Sequence, residues 1–178
     1  MSDMTAVGKS VTRVDAQEKV TGTAVFGHDL KFPGMLCGKV LGSKYAHARI
    51  LNIDVTRAKK LAGVRVVVTG KDIPLRFGNP HTGIIDQPFI AADKVRLFGE
   101  PVAAVAAIDE DIAEEALELI KIEYEELPGV FDPIQAMEPG ASLLHEDLTS
   151  YKRGPIARPV EGTNICHHPK LRKGDTEQ

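Results

Sequence analysis

Between residues 94 and 127 the spacing of apolar and polar positions changes three times, and the rest of the chain can be read outward from those changes. Residues 102–108 run Val-Ala-Ala-Val-Ala-Ala-Ile, apolar at odd and even positions alike. A strand with no polar side needs cover on both faces, which makes this a central strand. Ahead of it, residues 95–98 suit a shorter strand. Gly99 and Glu100 supply a tight turn, and Pro101 takes a first strand position, where a missing N–H is tolerated. Behind it, Asp109 offers a carboxylate to the free N–H groups of a helix start, and Glu110 and Asp111 place negative charge in the first turn. Ile112, Ala113, Ala116 and Leu117 form one stripe and Glu114, Glu115 and Glu118 the other, which predicts an amphipathic helix to about residue 118. Ile120, Ile122 and Tyr124 then alternate with Lys121, Glu123 and Glu125, the period of a strand with one wet face.

The same order occurs earlier. Residues 35–41 form a mostly apolar strand, and residues 49–54 alternate Ile50, Asn52 and Asp54 against Leu51 and Ile53. Residues 56–61 suit a short helix capped by Asp54 or Thr56, with Gly63 able to turn left-handed after it, and residues 64–69 a buried strand. Strand, strand, short helix, strand thus appears twice, which suggests an internal structural repeat. The expected fold class is α/β in the α+β sense: a small mixed sheet with two short helices built from that repeat.

Breakers set the organisation around it. Residues 70–93 hold Pro74, Gly78, Asn79, Pro80, Gly83 and Pro88, too many for a helix or a long strand, so they form a long surface excursion of the kind that faces a partner or a function, or else is disordered. After Leu127 come Pro128, Gly129, Pro133, Pro139 and Gly140, with one helical turn near 133–137. Residues 148–178 have too few apolar side chains to offset the entropy of ordering. The expected division is a flexible arm at 1–12, a domain at 13–147, and an extended linker or docking arm at 148–178.

Lys+Arg of 22 against Asp+Glu of 25 gives a net charge of −3 with no basic block, so neither nucleic acid nor an anionic membrane is implied as a partner. The longest apolar run, 102–108, is too short to cross a bilayer core of ~30 Å. The start MSDMTAVGKS has no apolar stretch of a secretory signal, and Cys37 and Cys166 lie far apart, which points to reduced thiols in the cytoplasm.

The chemistry-bearing residues do not converge. Cys166, His167 and His168 are metal-ligand types, but adjacent residues seldom aim at one ion and no partner spacing accompanies them. Glu114, Glu115 and Glu118, like Glu123, Glu125 and Glu126, fall on wet faces where charge is the ordinary occupant. His28, His47, His81 and His145 accompany no nucleophile in an elbow context. Gly27, Gly34, Gly38 and Gly42 form neither a dinucleotide fingerprint nor a phosphate loop. No position is assigned as catalytic, cofactor-binding or metal-ligating.

Several short stretches nevertheless occur together and in order: Glu18-Lys19-Val20-Thr21-Gly22 with Asp29, Ala46-His47-Ala48-Arg49-Ile50, Ile53-Asp54 leading to Ala62-Gly63-Val64, Asp93-Lys94-Val95-Arg96 with Gly99, and Glu123-Tyr124-Glu125-Glu126-Leu127-Pro128. In this series, residues 13–145 resemble the a/b hammerhead domain of the molybdopterin-binding large subunit of the xanthine dehydrogenase, aldehyde oxidase and carbon monoxide dehydrogenase family. Residues 100–109 are especially similar to the bacterial branch that includes the 4-hydroxybenzoyl-CoA reductase large subunit. The resemblance implies a molybdenum hydroxylase or dehydrogenase in which a molybdopterin cofactor acts on a carbon centre and electrons leave through iron–sulfur and FAD-containing partner subunits. In that family the loops that hold the pterin and the glutamate that acts as base lie downstream of the hammerhead, so no catalytic residue carries over to this sequence. The chain is then expected to be a fragment or separately encoded piece, a structural and assembly domain that binds no cofactor itself and whose partner is the molybdopterin-binding domain or subunit. Arg172-Lys173-Gly174-Asp175 resembles the opening of the segment leading into it. The fold alone would also permit a stand-alone, non-enzymatic interaction or small-molecule binding module. A neighbouring reading frame carrying the pterin-binding loops would decide between the two.

Overall fold

The computed structural model describes residues 7–81 and 83–174. Two compact units divide the chain, residues 1–35 and residues 36–178. The arm expected over residues 1–12 lies partly outside the described residues.

In the first unit, α1 (Ala16–Val20) is a single turn with no buried residue. It is held by local polar contacts. Arg13 donates two hydrogen bonds to Asp15 at 3.0 and 2.9 Å, Lys19 pairs with Asp15 at 2.7 Å, and the Thr21 hydroxyl donates to the Gln17 carbonyl at 2.8 Å.

The second unit contains β1 (Cys37–Gly42), β2 (Ala48–Asp54), α2 (Thr56–Lys60), β3 (Val64–Thr69), the two-residue strands β4 (Arg76–Phe77), β5 (Gln87–Pro88) and β6 (Lys94–Val95), then β7 (Pro101–Ala107), α3 (Glu110–Glu118) and β8 (Lys121–Glu126). The α/β class and the strand, strand, helix, strand order stand as expected, and pairing is antiparallel throughout, divided over three sheets. Local signals place the helices. The Asp109 carboxylate accepts from the Ile112 N–H at 2.8 Å, and Asp54 accepts from the Thr56 N–H at 2.9 Å. Gly63 turns the chain at φ +94° after α2.

The sheets show what the repeat is for. The first orders β1-β7-β3 and the second β6-β2-β8. Each therefore takes its outer strands from one repeat and its central strand from the other. The two strand-to-strand junctions also meet: the Ser43 N–H donates to the Glu100 carbonyl and the Gly99 N–H to the Ser43 carbonyl, both at 2.9 Å. Side chains cannot intrude there. A Cβ on Gly42 would lie 3.0 Å from the Gly99 carbonyl oxygen, and Gly99 itself has φ +81°.

Register decides which side chains share a face of the first sheet. Lys39, Val105 and Val67 form one row, and Leu41, Ala103 and Thr69 another. This face packs against α2 and α3 through Ala58, Ala116, Val67, Ala103 and Val105, all buried. Lys39 reaches Glu110 and Glu114 on α3 at 2.6 and 2.8 Å. The opposite face carries Gly38, Ala106 and Val66 in one row and Val40, Ala104 and Val68 in the next. Here the expectation of cover on both faces of residues 102–108 meets a difference. Val40 is 58% and Val66 49% exposed, because both helices lie side by side on the other face. Val102, at the strand's start, is buried with Ala48, Ile50, Ala91 and Val95 of the second sheet's core.

A third cluster joins the excursion to the segment after residue 147. Ile84, Leu148 and Ala157 bury together with Tyr151 against them, and the Ile85 and Gly154 N–H groups donate to the carbonyls of Lys152 and Gly83.

Candidate functional site

A group of charged and titratable side chains in the second unit is assembled where β6 runs into the turn before β7. A strand of two residues followed by a glycine turn brings Lys94, Arg96 and Glu100 within one short loop, and the apolar strand behind it leaves their polar groups to find partners on neighbouring segments. Lys94, only 4% exposed, donates from Nζ to the Leu143 carbonyl at 2.9 Å and to Glu146 Oε1 at 2.8 Å. Arg96 donates from Nε to the Leu144 carbonyl at 3.1 Å and from Nη1 to the Lys94 carbonyl at 2.8 Å. Glu100, also 4% exposed, accepts from the Arg96 N–H at 2.5 Å.

Beside them a cavity of about 220 Å³ is lined by Asp86, Gln87, Pro88, Arg96, Leu97, Glu100 and His145. Burial pushes the Glu100 carboxyl above the ordinary carboxylate range, against the opposing pull of the Arg96 N–H and its positive charge. Burial likewise lowers His145 to about 4, helped by Arg96, Lys94 and Arg76 and opposed by Asp86. The ring is therefore neutral at pH 7, so its approach to Asp86 at 3.7 Å is a dipolar contact rather than an ion pair. Its Nδ1 lies 3.1 Å from the Tyr151 hydroxyl, and the Arg76 guanidinium sits 4.9 Å from the Tyr151 ring centroid.

This cluster ties together the excursion, the β6–β7 turn and residues 143–151, and the Lys94 and Arg96 side chains in it are already engaged by carbonyls and a carboxylate of the chain. In the sequence Lys94, Arg96 and Glu100 stand only as motif and turn residues, although three charges around a glycine turn beside a strand with no polar face must find partners elsewhere.

The residues singled out from sequence are dispersed. Cys166 and His168 are exposed, and His167 is partly buried with Nδ1 unpartnered. Among the described residues no group of three or more His, Cys, Asp or Glu side chains is placed to hold a metal ion. Glu114 serves Lys39, Glu125 accepts from Arg49 at 3.0 Å, and Glu115, Glu118, Glu123 and Glu126 are exposed. His28 and His81 are exposed.

His47 is different: it is 2% exposed, and its Nδ1 lies 2.7 Å from the Pro128 carbonyl oxygen, so that nitrogen carries the proton and donates. The His47 carbonyl in turn accepts from the Leu127 N–H at 3.0 Å. Two of the sequence stretches are thus pinned to each other, the start of β2 to the end of β8. Others make turns: Gly22, Gly63 and Gly99 all have positive φ, and Asp29 accepts from the Phe26 N–H at 2.9 Å. The shared motif residues seen here fix backbone rather than perform chemistry.

A phosphate-bearing pterin needs a run of free N–H groups or unpaired cations in a deep cleft. Two open depressions offer neither. One, about 440 Å³, is formed by residues 128–142 and has Asp132 and Glu138 as its charged side chains. The other, about 500 Å³, sets Arg49 and Lys94 against Asp93, Glu146 and Asp147, with Lys94 and Arg49 already paired. Neither depression fits that cofactor.

Known proteins share this stretch of sequence and fold. A probable xanthine dehydrogenase subunit of Bacillus subtilis (strain 168) is 44% identical over 171 residues, covering 95% of this chain and 20% of that protein. The nicotinate dehydrogenase large molybdopterin subunit of Eubacterium barkeri is 42% identical over 152 residues, covering 84% and 35%. The crystal structure of a Cu,Mo-CO dehydrogenase superposes with a TM-score of 0.76 at 35% identity, covering 88% of this chain and 20% of that one. The chain therefore spans between a fifth and about a third of the length of these relatives. The family model for the aldehyde oxidase and xanthine dehydrogenase a/b hammerhead domain matches residues 21–128, and the chain belongs to that family.

Proposed function

We propose that this chain is the structural and assembly part of a molybdopterin-dependent oxidoreductase, and that cofactor binding and chemistry reside in the portion of the large subunit its relatives carry beyond the matched region. The observation that carries this reading is the pairing of family membership with a site whose buried cations are engaged internally. A domain that is a fifth of a large molybdenum subunit, and that uses its polar residues to clamp its own segments, serves to build the subunit. The relatives support it in another way: proteins named for xanthine, nicotinate and carbon monoxide share this region, as they would a part that serves assembly.

In this reading residues 13–147 form the hammerhead domain and residues 148–178 an arm laid partly along the excursion. Its partners are the molybdopterin-binding domain or subunit and, through it, iron–sulfur and FAD-containing subunits, in the cytoplasm. Among the described residues no helix is long and apolar enough to cross a membrane. Co-expression with the molybdopterin-binding portion, followed by affinity capture and elemental analysis, tests the proposal. The complex should carry molybdenum and the chain purified alone should carry none. Stoichiometric molybdenum in the isolated chain, or no association with that portion, would overturn it.

A further inference from the structure

The open face of the β1-β7-β3 sheet is apolar. Gly38, Val40, Val66, Val68, Ala104 and Ala106 share it, with no polar side chain in either of their two cross-strand rows. Alanines floor it along β7, while Val40 on one side and Val66 and Val68 on the other form walls. Two inter-strand spacings separate the walls, ~9.5 Å, about the diameter of an α-helix with its side chains. The other face of the same strands already holds α3, which seats Ala116 against Ala103 and Val105. An antiparallel sheet that leaves one face to water ordinarily alternates apolar-in with polar-out, and these two rows carry nothing polar.

We infer that this trough is the seat of an apolar helix stripe from the molybdopterin-binding portion of the same large subunit. The inference rests on the assembly reading above and adds the surface by which assembly occurs. Two facts select this occupant over a second copy of the chain. Four-fifths of the length of the Bacillus subtilis relative lies outside the region matched here, so cover from that portion is at hand. The patch is also small: one glycine and five Ala or Val side chains, of which Val40 and Val66 are about half exposed and the others less, present on the order of 300 Å². A stable dimer buries about 800 Å² on each partner. A patch of this size suffices as one contact inside a larger subunit, where the rest of the interface shares the association.

The test is a Val40→Lys, Val66→Lys double variant. Both positions are about half exposed, so the isolated variant should melt with wild type. Captured with the co-expressed molybdopterin-binding portion, it should bind at least tenfold more weakly than wild type. Hydroxyl-radical footprinting of wild type gives a second readout that needs no variant: Val40 and Val66 should be labelled in the free chain and protected in the complex. If wild type fails to bind that portion, the assembly reading fails and this inference with it. If wild type binds and the variant binds equally, with Val40 and Val66 still labelled, the assembly reading stands and the face is wrong. A free chain that is dimeric, and becomes monomeric in the variant, would give the trough to a second copy and overturn the occupant named here.

Discussion

The two principal sheets have the same topology and opposite surfaces. In the first, the central strand β7 is alanine and valine after its opening proline, one face lies under two helices, and the other is bare and apolar. In the second, the central strand β2 alternates, burying Ala48 and Ile50 while Arg49, Leu51, Asn52 and Asp54 stay exposed. Its exposed side shows the ordinary device of a soluble sheet: Arg49 stands opposite Glu125 across the strands and donates to it at 3.0 Å. One repeat unit, used twice, has thus been finished for water in one sheet and left unfinished in the other. The difference teaches that the sequence of the central strand, rather than the topology, records what the sheet will face.

The largest expected effect separates the two faces of β7. Ala103→Glu should abolish the cooperative thermal transition, since a carboxylate placed at a fully buried position against α2 and α3 costs roughly 4 kcal/mol or more out of a typical ~5–15. Ala104→Glu, one residue away on the open face, should still melt cooperatively. Equal loss of structure in both variants by circular dichroism would mean that the open face is covered within this chain.

Next in size is the clamp beneath the second sheet. Lys94→Ala should destabilise by about 2–4 kcal/mol in denaturant titration, because the buried ammonium's two partners, the Leu143 carbonyl and Glu146, are left without it. Proteolysis should then open the chain between residues 143 and 157 first. A variant as resistant as wild type would show that the clamp holds nothing.

A pH titration sharpens the same region. Because His145 is held at about 4 in the fold against an ordinary 6.5, the unfolded chain takes up its proton first on acidification. Stability from this source is complete above about pH 6.5 and is lost as the pH falls toward 4, by up to about 3 kcal/mol. Glu100, raised by burial, has the opposite slope and offsets part of that loss. His145→Gln should leave the shallower, opposite trend, and an unchanged acid slope would place the cause elsewhere.

The smallest effect belongs to the wet face. Removing Arg49 or Glu125, each more than half exposed, should change stability by less than about 0.5 kcal/mol. A loss comparable to that of Lys94 would erase the contrast between the sheets.

How much of this is legible depends on whether a contact leaves a period. The 102–108 strand, the Asp109 cap, the α3 stripe and the alternation of residues 120–125 are period signals, and the elements form where those signals place them. The cluster around Lys94, Arg96 and Glu100 leaves none. Its partners are backbone carbonyls of residues 143 and 144, and a carbonyl has no signature in a sequence. The burial of Leu148, Tyr151 and Ala157 against Ile84 escapes notice for a similar reason: their spacing is irregular, and the segment they face is itself a loop. Cover is expected on both sides of residues 102–108 because local composition reports what a face requires, not which chain supplies it.

The exchanged central strands have a consequence for how the molecule comes into being. Arg49 and Glu125 are 76 positions apart, and neither sheet is complete until both halves of the chain exist. A ribosome that has released only the first half has made two flanking strands with nothing between them and one central strand with nothing beside it. Collapse must wait for β7 and β8 and proceeds slowly, as folds dominated by distant pairings do. By the same token a chain nicked within residues 70–93 yields two pieces that each hold the other's missing strand, and mixing them should restore what neither can form alone.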